Sequence, residues 1–320
     1  MKILANDGIS PGGQKSLEDA GFEVITTRVA QEQLRDFILK NDIQVILVRS
    51  ATKVRKDLID ACPGLKIIGR AGVGMDNIDV DYARSKGIKV INTPAASSGS
   101  VAELVFAHLF GGVRFLHDAN RNMPLEGDSR FKDLKKSYSG GRELRGKTLG
   151  IIGLGRIGRE VAKIALGIGM KVIAGSQTEG SEEVKLQFFD GREISFEVAC
   201  FPVAEMLGKA DYITLHVPAQ KEPLIGREEF SKMKDGVGII NAARGGVIDE
   251  VALVEALESG KVAFAGLDTF VDEPAPAIKV LMNGKISLSP HIGAATEEAQ
   301  ERIGMELADQ IKKINQGSKV

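Results

Sequence analysis

The chain has 320 residues, 43% hydrophobic and 27% charged, a balance that suits two globular domains and excludes extensive disorder. Its 42 basic and 43 acidic residues leave a formal net charge of −1, so no nucleic-acid or polyanion partner is indicated. Two cysteines, Cys62 and Cys200, are too few for a disulfide framework or a cysteine metal cluster; they predict a reducing, cytoplasmic setting and no metal site.

The N-terminus turns polar at Asn6, too soon for the apolar stretch of a signal peptide. Short apolar runs at 2–5, 24–26, 45–48, 66–68 and 89–91 predict strands. The amphipathic stretches 14–20, 31–40, 56–62 and 80–86 predict helices between them. That alternation predicts a parallel sheet with crossover helices. A long helix is expected from about 98 to 121. Glu103, His108 and Arg114 interrupt its apolar part, which reads as a buried or interface helix and not a membrane span. A second series follows, with strands predicted at 148–152, 171–174, 212–216, 238–241 and 263–267, separated by helical patterns. Alternating apolar residues around Asp190-Gly191, between 183 and 197, predict a small β-hairpin inserted on the second domain. A last helix is expected over 296–314, and it can return to pack on the first unit. The expected fold is α/β, with two doubly wound parallel-sheet domains.

Gly153-Leu-Gly155-Arg156-Ile157-Gly158 follows the strand at 148–152 and opens a helical run. That context is what a dinucleotide-binding loop requires. Gly153 permits the tight turn, Gly155 lets backbone approach a pyrophosphate, and Gly158 lets helix pack on strand. The helix N-terminus offers free N–H groups to the phosphates. At the end of the next strand, where NAD sites usually carry Asp or Glu, stands Ser176. No Arg or Lys stands nearby to favour a 2′-phosphate, so NAD is the expected cofactor and NADP use is open.

Of four histidines, His108 and His117 read as structural, and His216 ends a strand where it can line the cofactor site. His291 sits in Ser-Pro-His-Ile-Gly, a rigid turn suited to a ligand edge. Arg244 follows one apolar strand, and Asp268 and Glu273 follow another. An Arg, a Glu and a His at one crevice edge fit oxidation of an alcohol by hydride transfer. The His takes the hydroxyl proton, the Glu orients the ring and stabilises imidazolium, and the Arg binds a carboxylate bidentately.

With Asn241-Ala242-Ala243-Arg244-Gly245-Gly246, Asp272-Glu273-Pro274 and Pro290-His291-Ile-Gly293 beside the glycine loop, the sequence resembles the D-isomer-specific 2-hydroxyacid dehydrogenase family over nearly its whole length. Its N-terminal motifs, Val48-Arg49-Ser50-Ala51-Thr52-Lys53-Val54 and Gly69-Arg70-Ala71-Gly72-Val73-Gly74-Met75-Asp76-Asn77, resemble the branch that acts on 3-phosphoglycerate. The resemblance implies Arg244, Glu273 and His291 as catalytic residues. It implies cofactor contacts from Val73, Arg156, Ile157, Val217, Pro218, Ala242, Ala243, Asp268 and Gly293, besides the glycine loop and Ser176. It implies a flavodoxin-like substrate domain of residues 1–97 and 292–320, and a Rossmann cofactor domain of residues 98–291. The implied activity is NAD-dependent oxidation of D-3-phosphoglycerate, the entry step of serine synthesis. Larger relatives carry C-terminal regulatory domains; this chain stops soon after its last helix, so feedback through such a domain is not expected.

Arg49 and Arg70 each end an apolar strand and can point into a cleft, where two guanidiniums suit a phosphate dianion. Ser50 lies beside the first, and Gly72, Val73 and Gly74 beside the second. The two glycines free backbone N–H groups for a carboxylate. The segment 130–147 holds seven basic and two acidic residues. By composition it is a solvated linker; by the resemblance it is an arm that embraces a second copy, a homodimer through the dinucleotide-binding domains, with Lys135 or Lys136 near the neighbour's substrate. Reduction of glyoxylate or hydroxypyruvate, and an NAD-sensing corepressor-like binding protein, remain alternative readings.

Overall fold

The computed structural model describes residues 1–317, and the chain divides into two compact units. The first comprises Met1–Ser98 and the chain from Ala294 onward; the second is Gly99–Gly293.

In the first unit β1 (Lys2–Ala5), α1 (Pro11–Glu18), β2 (Glu23–Ile25), α2 (Leu34–Lys40), β3 (Ile43–Val48), α3 (Lys56–Ala61), β4 (Ile67–Arg70), α4 (Val80–Ser85) and β5 (Lys89–Asn92) alternate as predicted. The five strands are parallel in the order β2-β1-β3-β4-β5, a flavodoxin-like winding. Successive side chains on a strand point to opposite faces, so both faces of this sheet are apolar. Leu4, Ile46, Val48 and Ile68 pack toward Leu34, Ile38 and Leu58. Ile3, Val45, Leu47 and Ile67 pack toward Leu17 and three residues near the chain's end, Ile303, Leu307 and Ile311.

The second unit contains α5 (Ser98–Val113), α6 (Leu116–Glu126), α7 (Phe131–Ser137), β6 (Thr148–Ile152), α8 (Arg156–Gly167), β7 (Lys171–Ser176), β8 (Gly180–Gln187), β9 (Glu193–Pro202), α9 (Val203–Lys209), β10 (Tyr212–Leu215), α10 (Arg227–Lys232), β11 (Val237–Asn241), α11 (Glu250–Glu258), β12 (Val262–Leu267), α12 (Ile278–Leu281) and β13 (Ile286–Leu288). Eight strands lie in the order β13-β12-β11-β10-β6-β7-β9-β8. All pairings are parallel except β8 with β9. The run β9-β7-β6-β10-β11-β12 is Rossmann winding, which reverses direction between β6 and β10.

One expectation is corrected. The long helix is two helices bent by 59°, with Phe115 between them at φ 56. Among the described residues no single helix is long and apolar enough to cross a membrane. The expected hairpin around Asp190-Gly191 is present in the second unit, with β8 antiparallel to β9, and it is part of the main sheet. Its second strand, β9, pairs in parallel with β7, from Ile173 opposite Ala199 to Ser176 opposite Pro202, so β8 takes the place of a crossover helix and becomes the sheet's edge. β13, from Ile286 to Leu288, was not among the expected strands.

The last helix, α13 (Glu297–Asn315), belongs to the first unit. Thr296 caps it by accepting from Ala299 N at 3.1 Å. It lies against α1 at glycines on both sides: a side chain on Gly13 would strike the Gly304 backbone, and one on Gly304 would strike Ser10.

Candidate active site

Every loop that leaves the C-terminal end of β6, β10, β11, β12 or β13 emerges at one edge of the larger sheet, because those strands are parallel. Ligands of doubly wound sheets bind at that edge, beside the point where the winding reverses.

The glycine loop leaves β6 at that point. Gly153 has φ 95, a conformation that side chains rarely adopt, and a Cβ there would strike the His216 carbonyl. A Cβ on Gly158 would strike the Gly153 carbonyl, so helix and loop are in backbone contact. Gly155, the N-cap of α8, faces open space, with nothing within 4 Å of where a Cβ would stand. The three glycines thus stand at a left-handed turn, at open space and at a helix–loop contact, respectively. Arg156 and Ile157 open α8, so their backbone N–H groups lie in its unsatisfied first turn. A dinucleotide pyrophosphate fits this cradle; Gly155 supplies the clearance and α8 the free N–H groups.

Val217 and Pro218 follow β10 on the other side of the reversal, after His216. His216 Nε2 meets Thr214 Oγ1 at 3.0 Å, and burial pushes the imidazole down to about 3, so the ring is neutral. Ala242 and Ala243 follow β11 and are buried. Asn241 ties this loop: its Oδ1 accepts from Ala243 N at 3.0 Å, and its Nδ2 donates to Arg244 O at 2.8 Å. Ser176 closes β7 with its hydroxyl accepting from Thr178 N at 3.2 Å.

Arg244, Glu273 and His291 stand in the loops after the neighbouring strands β11, β12 and β13. His291 Nδ1 and Glu273 Oε2 are 2.8 Å apart, and Glu273 Oε1 accepts from Phe270 N at 3.0 Å. The carboxylate is therefore held by backbone while it holds the ring. Both side chains remain about one-third exposed, so the free Nε2 face of the imidazole is reachable. A side chain on Gly245 would strike the Phe270 carbonyl, so the loop of Arg244 rests directly on the loop of Glu273. Arg244 Nη1 donates to Ala243 O at 2.7 Å.

Asp268 follows β12 and is 1% exposed. It accepts from Ile292 N at 2.8 Å and Gly293 N at 2.9 Å, so it clamps the backbone just after His291. A Cβ on Gly293 would crowd that carboxylate, which accounts for the glycine.

In the smaller unit Val48 is the register partner of Arg70, so Arg49 and Arg70 leave neighbouring strands at one edge. Three side chains that the sequence reading passed over hold the loop through Arg49 and Ser50. Asp7 accepts from Arg49 N at 2.7 Å and from Thr52 Oγ1 at 2.7 Å. Asn6 donates to Thr52 Oγ1 at 2.8 Å. Asn77 donates to Arg49 O at 2.8 Å and Thr52 O at 2.6 Å. Gly72 has φ 137, and a side chain there would strike the Arg70 guanidinium. Val73 is exposed; its carbonyl accepts from Asn92 at 2.8 Å. Gly74 completes this loop.

Residues 106–293 match the family described as D-isomer specific 2-hydroxyacid dehydrogenase, NAD binding domain. The chain is 45% identical over 297 residues to a hydroxypyruvate reductase of Thermotoga maritima, covering 91% of this chain and 90% of that one. It is 42% identical over 322 residues to a D-3-phosphoglycerate dehydrogenase of Methanocaldococcus jannaschii, covering 99% of this chain and 58% of the relative's length. Among solved structures, the NAD+-bound 3-phosphoglycerate dehydrogenase of Entamoeba histolytica is similar, with a TM-score of 0.76, 30% identity, and coverage of 99% of this chain and 95% of that one. Fold, glycine cradle and sequence likeness agree: the chain belongs to the D-isomer specific 2-hydroxyacid dehydrogenase family.

Proposed function

We propose that this protein oxidises D-3-phosphoglycerate to 3-phosphohydroxypyruvate with NAD. The observation that carries the reading is the 2.8 Å pair of Glu273 and His291 at the edge where the glycine cradle opens. Bound NAD supplies the acceptor for the substrate's hydride. His291 takes the hydroxyl proton on Nε2, because Nδ1 is engaged by Glu273, and Glu273 stabilises the imidazolium that forms. Arg244 binds the substrate carboxylate and polarises the nascent carbonyl. Arg49 and Arg70 are assigned to the substrate phosphate, with Ser50 and the Gly72–Gly74 backbone beside them. Val73, Val217, Pro218, Ala242, Ala243, Asp268 and Gly293 are assigned to the cofactor. The relatives named phosphoglycerate dehydrogenase support this substrate.

A second reading is reduction of hydroxypyruvate, which the name of the Thermotoga relative supports. Steady-state assays decide between them: 3-phosphoglycerate against glycerate and lactate, each with NAD and NADP, and hydroxypyruvate with the reduced cofactors. A kcat/KM for 3-phosphoglycerate no higher than for glycerate defeats the phosphate assignment. Ser176 leaves NADP use open, and the same assays measure it.

We further assign a homodimer built on the dinucleotide-binding unit. Phe110, Leu116 and Leu125 on α5 and α6, and Phe131 on α7 within the basic arm 130–147, are exposed apolar side chains. Closed two-fold dimers are the commonest homo-oligomers. Light scattering at assay concentration tests this, and a fully active monomer refutes it. Both cysteines are free and buried, which suits a reducing cytoplasm.

A further inference from the structure

His108 lies within α5, 4% exposed, and both of its ring nitrogens are engaged. Nδ1 is 2.8 Å from Ser287 Oγ, and Nε2 is 2.9 Å from Ser289 Oγ. Ser289 Oγ donates to Asp268 Oδ1 at 2.6 Å. A hydroxyl carries one proton. Having given it to the carboxylate, Ser289 can only accept from His108, so the proton on His108 sits at Nε2. Burial holds the imidazole below its ordinary value, against the pull of the Asp268 charge, and so favours the neutral ring; Nδ1 is then a lone pair that accepts from Ser287.

The direction of donation is thus fixed along the whole row: Ser287 to His108, His108 to Ser289, Ser289 to Asp268. At its end, Asp268 receives the backbone N–H groups of Ile292 and Gly293. Those two residues follow His291, whose φ of 54 is unusual for a side chain with a Cβ. A loop in that conformation persists only where its surroundings hold it.

We propose that His108 is a positioning residue for hydride transfer: through Ser289 it aims the Asp268 carboxylate, and through Asp268 it fixes the backbone that presents His291. It never touches substrate. The sequence offers no sign of this, since His108 and Ser289 lie 181 positions apart. The proposal rests on the reading of His291 as the acid/base.

The test is a set of four variants of the full chain. His108→Leu removes the donor to Ser289, and kcat should fall roughly tenfold, the scale of one hydrogen bond to a charge-linked network. KM for NAD and for the substrate should stay within about twofold of wild type. His108→Gln keeps an N–H where Nε2 stood and should recover most of the lost kcat. Ser289→Ala should cost as much as His108→Leu, and the double variant no more than either, because both break one row. Equal kcat in wild type and His108→Leu overturns the proposal. So do additive losses, or a fall in melting temperature alone. If wild type turns over no 2-hydroxy acid, the acid/base reading has failed, and the clamp is then read directly. The His291 ring resonances by NMR must move in His108→Leu and return in His108→Gln; unmoved resonances overturn the proposal independently of activity.

Discussion

Ser176 ends β7 with its hydroxyl turned onto its own backbone, as an acceptor for Thr178 N. A carboxylate at that position would accept from both ribose hydroxyls and repel a 2′-phosphate. Ser176→Asp should therefore raise the ratio of kcat/KM for NAD over NADP by about tenfold or more, the worth of one charge-assisted hydrogen bond. An unchanged ratio would place cofactor discrimination elsewhere. At His291, substitution by Ala should lower kcat by ~10²–10⁴-fold, the usual contribution of an acid/base group. NADH binding, followed by its fluorescence, should stay close to wild type, because the glycine cradle is untouched. Arg244→Lys should lose at least about tenfold in kcat/KM, since an ammonium cannot reproduce a bidentate fork. Arg244 and Glu273 were legible because loops after parallel strands converge on one edge, whereas His291 follows the unexpected β13 and was marked only by its Ser-Pro-His-Ile-Gly turn. Asp7, Asn77, Ser287 and Ser289 were not legible. Each is a small polar residue whose partners lie between 21 and 181 positions away, and no local pattern marks such a pairing.

At the level of elements, apolar runs such as Ile-Gln-Val-Ile-Leu-Val in β3 and Gly-Ile-Ile-Asn in β11 located the strands, because a strand buried on both faces has few polar positions. The break after α5 was hidden. Phe115 is an improbable residue for φ 56, and the preceding Gly112 serves packing: a side chain there would strike the Phe264 ring. The edge strand was half legible. Asp190-Gly191 announced the turn, and Gly191 adopts φ 85 there, but alternation cannot reveal that β9 pairs with β7 as well as β8. The pairing of α1 with α13 depends on two glycines that meet without side chains. Gly304→Val would drive a branched side chain into Ser10 and should cost about 1–3 kcal/mol, the usual penalty of overpacking. Urea unfolding measures it. A midpoint equal to wild type would mean that the helices can part without loss.

For the molecule as a whole, two histidines are folded in as neutral rings. Burial lowers His108 and pushes His216 down to about 3, against about 6.5 in an unfolded chain. Below 6.5 the unfolded chain gains protons that the folded one refuses, so the stability held above that pH is lost progressively as pH falls toward 3. His216→Gln should flatten this loss between pH 6.5 and 4.5, measured as the difference in urea midpoints at those two values; a slope identical to wild type would refute the assignment. The discontinuous unit carries a further consequence, for synthesis on the ribosome. Residues 99–293 emerge as one uninterrupted stretch and contain every strand of the eight-stranded sheet, whereas the first ninety-eight residues lack Ile303, Leu307 and Ile311 until the last helix has been translated. The unit made first is thus completed last. Its five-stranded sheet is whole but waits with part of one apolar face uncovered through the translation of nearly two hundred residues, about ten to forty seconds at ordinary elongation rates. During that interval this face is the natural target for holding chaperones.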